Sequence, residues 1–306
     1  MAFDERYRRQ VALLMRVLPH VADEKCFALK GGTAINLFIR DMPRLSVDID
    51  LTYLPVAPRP ESLAAIDAAM QRIAAAIREA LPGSTIAMAR MENTVSKLTV
   101  RAEGAQIKIE VTPVMRGTVY EPETLAVTAA VEDQFGFAEI QVVSFADLYA
   151  GKLVAALDRQ HPRDLFDVRD LLANEGIGDE LRNAFIVYML SHDRPMFEVL
   201  RPVLKLLDGE YAQGFHGMTD KPVLLDDLAQ TRTQLIAEIV GNMPKAHRDF
   251  LISFECGEPA WDLLGLAGVA DLPAVKWRQL NLDKLSAPKR AALVANLEAA
   301  LADGHA

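Results

Sequence analysis

The chain has 306 residues, 51% hydrophobic and 25% charged, with a formal net charge of −9 at pH 7. That length allows two domains of roughly 150 residues, and that composition excludes collagen, coiled coil and wholesale disorder. No apolar run approaches the roughly 18 residues of a membrane span, no basic-then-apolar leader opens the sequence, and two distant cysteines, Cys26 and Cys256, make neither a disulfide framework nor a zinc site. No membrane partner is therefore expected, and a reducing cytoplasm is the expected compartment.

Residues 4–18 repeat apolar side chains at helical spacing (Tyr7, Val11, Leu14, Leu18). Cys26–Lys30 reads as a short strand running into Gly31-Gly32, and Thr33–Arg40 as a helix. Ser46–Tyr53 alternates as a strand does, and residues 61–80 form an alanine-rich helix stopped by Pro82-Gly83. Thr94–Ala102 and Ala105–Val111 flank Glu103-Gly104 as a hairpin, and Ile140–Val143 is one more strand. From Ser144 onward the pattern is helical, broken by prolines. Two domains are expected, 1–143 mixed α/β and 144–306 helical. The charge divides similarly: residues 1–120 carry a balance of +3 and residues 121–306 one of −12. Net charge bears on solubility and steering, not on the chemistry of a local cleft.

The most informative stretch is Ser46-Val47-Asp48-Ile49-Asp50-Leu51. On a strand, Val47, Ile49 and Leu51 face a core while Asp48 and Asp50 share the other face. Two adjacent carboxylates repel, and hard oxygen donors of this kind suit Mg²⁺ or Mn²⁺; the bland alternative is a solvated strand face. Ile107-Lys108-Ile109-Glu110-Val111 repeats the pattern, so a neighbouring strand would add Glu110 as a third acid. Three acids can hold two metal ions for phosphoryl displacement. Upstream, Lys30-Gly31-Gly32-Thr33 leads a strand into a helix start. Glycines admit a phosphate close to the backbone, helix-terminal N–H groups favour the anion, and Thr33 suits an N-cap or a hydroxyl donor.

This order of a glycine turn followed by an Asp-x-Asp strand resembles the AbiEii/AbiGii-type toxin family of the nucleotidyltransferase (DNA polymerase β-like) superfamily. The resemblance continues through Asp147-Leu148-Tyr149-Ala150-Gly151-Lys152 and Arg159 to Pro162-Arg163-Asp164-Leu165-Phe166-Asp167, and covers roughly residues 27–172. Read physically, Gly151 inside a helix signals close packing or an approaching ligand. Lys152 is the only basic residue between Arg116 and Arg159 and suits a nucleotide phosphate, or else snorkels at the surface. Pro162 opens a helix, and Asp164 either supports Lys152 or joins a salt-bridge ladder.

The resemblance implies an α+β fold: a nucleotidyltransferase-like mixed sheet with flanking helices, then a helical region completing the active site. It implies catalytic Asp48, Asp50, Glu110, Lys152 and Asp164, with Asp48, Asp50 and Glu110 on Mg²⁺ or Mn²⁺. Gly31, Gly32, Thr33, Ser46 and Lys152 would hold the nucleoside triphosphate. The acceptor it points to is the 3′ end of a tRNA, with a cognate antitoxin as genetic partner. A small-molecule or protein hydroxyl, Ser46 included, is the alternative acceptor, and a non-catalytic binding protein of the same fold the alternative class.

Overall fold

The computed structural model describes residues 3–302. By internal contacts the chain forms two compact units. The first runs to Ser144 and takes back His216–Pro222; the second comprises Phe145–Phe215 and the chain from Val223.

The first unit opens with α1 (Glu5–Ala22), capped by the Asp4 carboxylate, which accepts from the Arg6 N–H at 2.8 Å. Next come β1 (Phe27–Lys30), α2 (Gly31–Ala34), a π-helical turn at Ile35–Ile39, and β2 (Asp48–Tyr53). Then follow α3 (Arg59–Ala80), β3 (Thr85–Met91), β4 (Thr94–Ala102), β5 (Ala105–Arg116), β6 (Glu123–Ala126), α4 (Ala129–Phe135) and β7 (Glu139–Val142). The strands make one seven-stranded sheet in the order β3-β4-β5-β2-β1-β7-β6. The β2–β5 and β1–β7 pairs are parallel and the rest antiparallel, so the sheet is mixed, as expected.

Alternation decides which face is buried. Leu29, Ile49, Leu51, Leu98, Val100, Ile107 and Ile109 are fully or almost fully buried, while Lys30, Asp48, Asp50, Lys97, Lys108 and Glu110 are only half-buried. The helices α1 and α3 pack on this sheet, presenting Val11, Leu14 and Leu18, and Ile66, Met70 and Ile73. Both hairpins turn on two residues with positive φ, Glu92-Asn93 and Glu103-Gly104, the geometry that matches strand twist. The strand β3 and the β6–α4 segment are additions to the expected elements. β3 is exposed at all but one position, so burial imposes no alternation on it.

A single cut near residue 144 does not describe the chain, because His216–Pro222 belongs to the first unit. There the Met218 carbonyl accepts from the Leu45 N–H at 2.8 Å, the Gly217 carbonyl accepts from Asp4 at 3.1 Å, and Thr219 bridges Arg44. Backbone donors that the sheet leaves unpaired need such partners.

The second unit is helical: α5 (Phe145–Asp158), α6 (Pro162–Asn174), α7 (Asp179–Leu190), α8 (Met196–Leu200), α9 (Asp208–Gly214), α10 (Leu225–Ile236), α11 (Lys245–Cys256), α12 (Pro273–Asp283) and α13 (Ala287–Ala302). Cys26 and Cys256 are free thiols. Among the described residues no helix is long and apolar enough to cross a membrane.

Candidate active site

The acids stand where alternation puts them. Parallel register pairs Asp48 with Lys108 and Asp50 with Glu110, and antiparallel register pairs Asp50 with Lys30. Directly opposed residues share a sheet face, so Lys30, Asp48, Asp50, Lys108 and Glu110 lie on one face. Burial lowers the pKa of the Lys30 ammonium, and the charge of Asp50 works against that.

The glycine turn is built onto this face. Gly31 has φ +74°, and a Cβ there would sit 2.6 Å from Asp50 Oδ2. Both facts demand glycine, and the second places the Asp50 carboxylate against the turn. A Cβ on Gly32 would meet Arg44 Nη2 at 2.7 Å and Ser46 Oγ at 2.9 Å. Arg44 is almost completely buried, and its Nη1 donates to the Leu45 carbonyl at 3.0 Å. The side chain of Asn36 donates to the Gly32 carbonyl at 2.9 Å.

Thr33 is neither an N-cap nor an outward hydroxyl. Lys30 occupies the cap position, and Thr33 is completely buried one turn inside the helix. Its hydroxyl donates to the Asp48 carbonyl and lies 3.1 Å from Ser46 Oγ. Thr33 and Ser46 therefore tie the helix start to the backbone of the acid strand. Arg44 was not among the expected site residues. Its signal is faint: an arginine four residues before Asp48, inside a segment too irregular for periodicity to place it.

Glu110 shares the expected face, but its carboxylate lies 2.7 Å from Lys97 Nζ. Among the described residues no three His, Cys, Asp or Glu side chains are grouped so as to hold a metal ion. Three carboxylates on one ion are therefore not what this arrangement presents. Two aspartates on one face, one of them against a glycine turn, do suit a hard divalent cation whose remaining ligands come from phosphate and water.

In the helical unit, Lys152 of α5 is buried between two carboxylates of α6: Asp164 Oδ1 at 2.8 Å and Asp167 Oδ2 at 3.0 Å. Arg159 reaches Asp164 Oδ2 at 2.9 Å. Burial alone would push the Asp164 carboxyl up, but Lys152 and Arg159 outweigh it and hold it at about 2. Asp167, which was not among the expected site residues, is an equal partner of Lys152. Pro162 is the first residue of α6 and His161 its cap, Nδ1 accepting from the Arg163 N–H at 3.1 Å. Gly151 is explained by packing: a Cβ there would lie 3.2 Å from the Tyr188 ring of α7.

The family described as nucleotidyl transferase AbiEii toxin, type IV TA system, matches residues 12–276. Among solved structures, MenT4, a nucleotidyltransferase toxin from Mycobacterium tuberculosis H37Rv, is similar at 16% identity and a TM-score of 0.55. That likeness covers 98% of this chain and 94% of MenT4, and at such identity it speaks for the fold. No curated protein sequence matches this one.

Proposed function

The chain belongs to the AbiEii family of nucleotidyltransferase toxins of type IV toxin–antitoxin systems, and from that premise we propose that it moves a nucleotide from a nucleoside triphosphate to the 3′ end of a tRNA with a divalent cation, Mg²⁺ or Mn²⁺. Membership itself implies a triphosphate substrate and a cognate antitoxin. The observation that carries the finer reading is the Asp50 carboxylate lying against the Gly31 turn, with Asp48 beside it on the same sheet face.

In this reading the N–H groups of Gly31 and Gly32 bind the triphosphate, assisted by the helix start. Asp48 and Asp50 would hold the cation, which supplies charge neutralisation at the phosphates. Thr33 and Ser46 fix the backbone of Asp48 relative to the turn. Glu110 orients the attacking hydroxyl. The acceptor oxygen bonds to the α-phosphorus, the bond from that phosphorus to the bridging oxygen breaks, diphosphate leaves, and the hydroxyl proton passes to Glu110 or water. Lys152 and Asp164 stand in the proposal as residues of the helical unit whose loss lowers transfer.

Incubation with each labelled nucleotide, Mg²⁺ and total tRNA tests the proposal. Asp48→Asn and Asp50→Asn should each abolish transfer while melting near the wild-type temperature, since Asn keeps the shape and loses the anionic ligand. Wild-type transfer by both variants with Mg²⁺ limiting would refute the two-aspartate site.

A further inference from the structure

The register of the sheet extends the acid face into a shelf whose part toward β4 and β3 the catalytic reading leaves without a role. Three rows of directly opposed residues cross it. The first is Ala89, Lys97, Glu110, Asp50 and Lys30; the second is Ala87, Thr99, Lys108 and Asp48; the third is Thr85, Arg101 and Gln106. Adjacent rows are about 7 Å apart, twice the rise per residue. Along β3 the row positions Thr85, Ala87 and Ala89 are small and exposed, so the shelf lies open toward its edge.

The charges on the shelf are ordered. Lys97 is neutralised by Glu110 at 2.7 Å, and Lys30 stands opposite Asp50. Lys108, on β5 with Glu110, stands opposite Asp48, and Arg101 lies on β4, one row further from the acids. The Arg101 guanidinium is exposed, and its Nε donates to the neutral Gln106 side chain at 2.7 Å, which orients the cation without neutralising it. The order of strands puts the Gly31 turn, at the end of β1, on one side of the aspartates of β2 and these two cations, on β5 and β4, on the other. An in-line displacement needs donor and acceptor on opposite sides of the transferred phosphorus.

We propose that the outward face of the β4–β5 hairpin is the acceptor-binding surface, taking the phosphodiester backbone of an RNA strand on Lys108 and Arg101. The inference rests on the nucleotidyltransferase reading and adds the place where the RNA acceptor binds. Arginine and lysine at two successive rows suit successive phosphates, the guanidinium by a forked contact and the ammonium as a point charge. The chain as a whole carries −9, so this recognition is local rather than a property of the net charge.

The test uses the full chain with Arg101→Gln, Lys108→Gln, the double variant, and Arg101→Lys. Binding of total tRNA is measured without nucleotide at several salt concentrations, and transfer is measured with labelled triphosphate. Expected are a loss of about tenfold or more in tRNA affinity for the double variant and a salt slope shallower by about 0.7 for each cation removed. The KM for triphosphate and the melting temperature should stay near wild type, and Arg101→Lys should keep part of the affinity. Unchanged tRNA affinity and salt slope in the double variant would overturn the proposal while leaving the nucleotidyltransferase reading intact. Labelling of an acidic protein in place of tRNA, unaffected by the substitutions, would overturn it too. Wild-type tRNA binding that the substitutions weaken, without transfer of any nucleotide, would keep the surface and sink the catalytic reading instead.

Discussion

At the scale of single residues, the two glycines of the turn do different work. Gly31 needs its positive φ and the space taken by the Asp50 carboxylate. Gly32 has ordinary backbone geometry and needs only the space held by Arg44 and Ser46. Gly31→Ala should therefore remove most transfer, since it adds roughly 1 kcal/mol of backbone strain and pushes a proposed metal ligand aside. Gly32→Ala should lower transfer less, by displacing the buried guanidinium. Adding Arg44→Lys, whose head is smaller, should give back part of that loss. Such neighbours should depart from additivity. Transfer rates and melting temperatures for the two singles and the pair check this, and strictly additive losses would mean that Arg44 does not couple to the turn. The glycines, aspartates and Ser46 were legible because turn chemistry and alternation mark them. The inward turn of the Thr33 hydroxyl was not, since its acceptor, the Asp48 carbonyl, is backbone that any sequence could offer.

At the scale of elements, strands with one buried face could be read and strands without one could not. The strands β2, β4 and β5 alternate because the core enforces it. The strand β3 is exposed at all but one position and carries no such mark. In α5 and α6 the sequence showed Lys152 and Asp164 as candidates, with Asp164 as one support for Lys152, and only packing reveals that the ammonium sits between Asp164 and Asp167. This burial makes the trio interdependent. Lys152→Met would remove the buried cation that Asp164 and Asp167 share and leave Asp164 with the exposed Arg159, a loss of roughly 3–5 kcal/mol. The pH dependence has a definite sign. The Asp164 carboxyl is held at about 2, below its ordinary 3.8, so it contributes stability above pH 4 that disappears as pH falls toward 2. In Lys152→Met the larger part of that support is gone and Arg159 alone remains, so protonation of Asp164 relieves the charge left uncompensated. The deficit of the variant should therefore be largest at pH 7 and shrink toward pH 3. Denaturant midpoints across that range test the argument, and a deficit independent of pH would show that Lys152 acts by packing alone.

At the scale of the whole molecule, the change from mixed to helical sequence near residue 144 is plain in composition, yet the return of His216–Pro222 to the first unit is not. That segment is short, has no periodicity, and is fixed by backbone hydrogen bonds that leave no trace in side-chain pattern. Its role is nonetheless specific. It accepts from the N–H of Leu45, a fully buried residue three positions before Asp48, and from that of Asp4 at the start of α1. A buried donor without its acceptor costs about 1–3 kcal/mol. Residues 1–144 expressed alone should thus melt below the same fragment joined by a flexible linker to residues 214–223, with faster amide exchange at Leu45. Within the full chain, Gly217→Val should have a related effect: Gly217 has φ +82°, and a Cβ there would stand 3.2 Å from the Cβ of Asp4. Both the strain and the contact work against the segment holding its place, so the variant should melt lower than wild type and exchange Leu45 faster. Equal melting temperatures for the two fragments, together with an unaffected Gly217→Val chain, would reduce His216–Pro222 to a passive crossing and leave the backbone before the acid strand supported by the sheet alone.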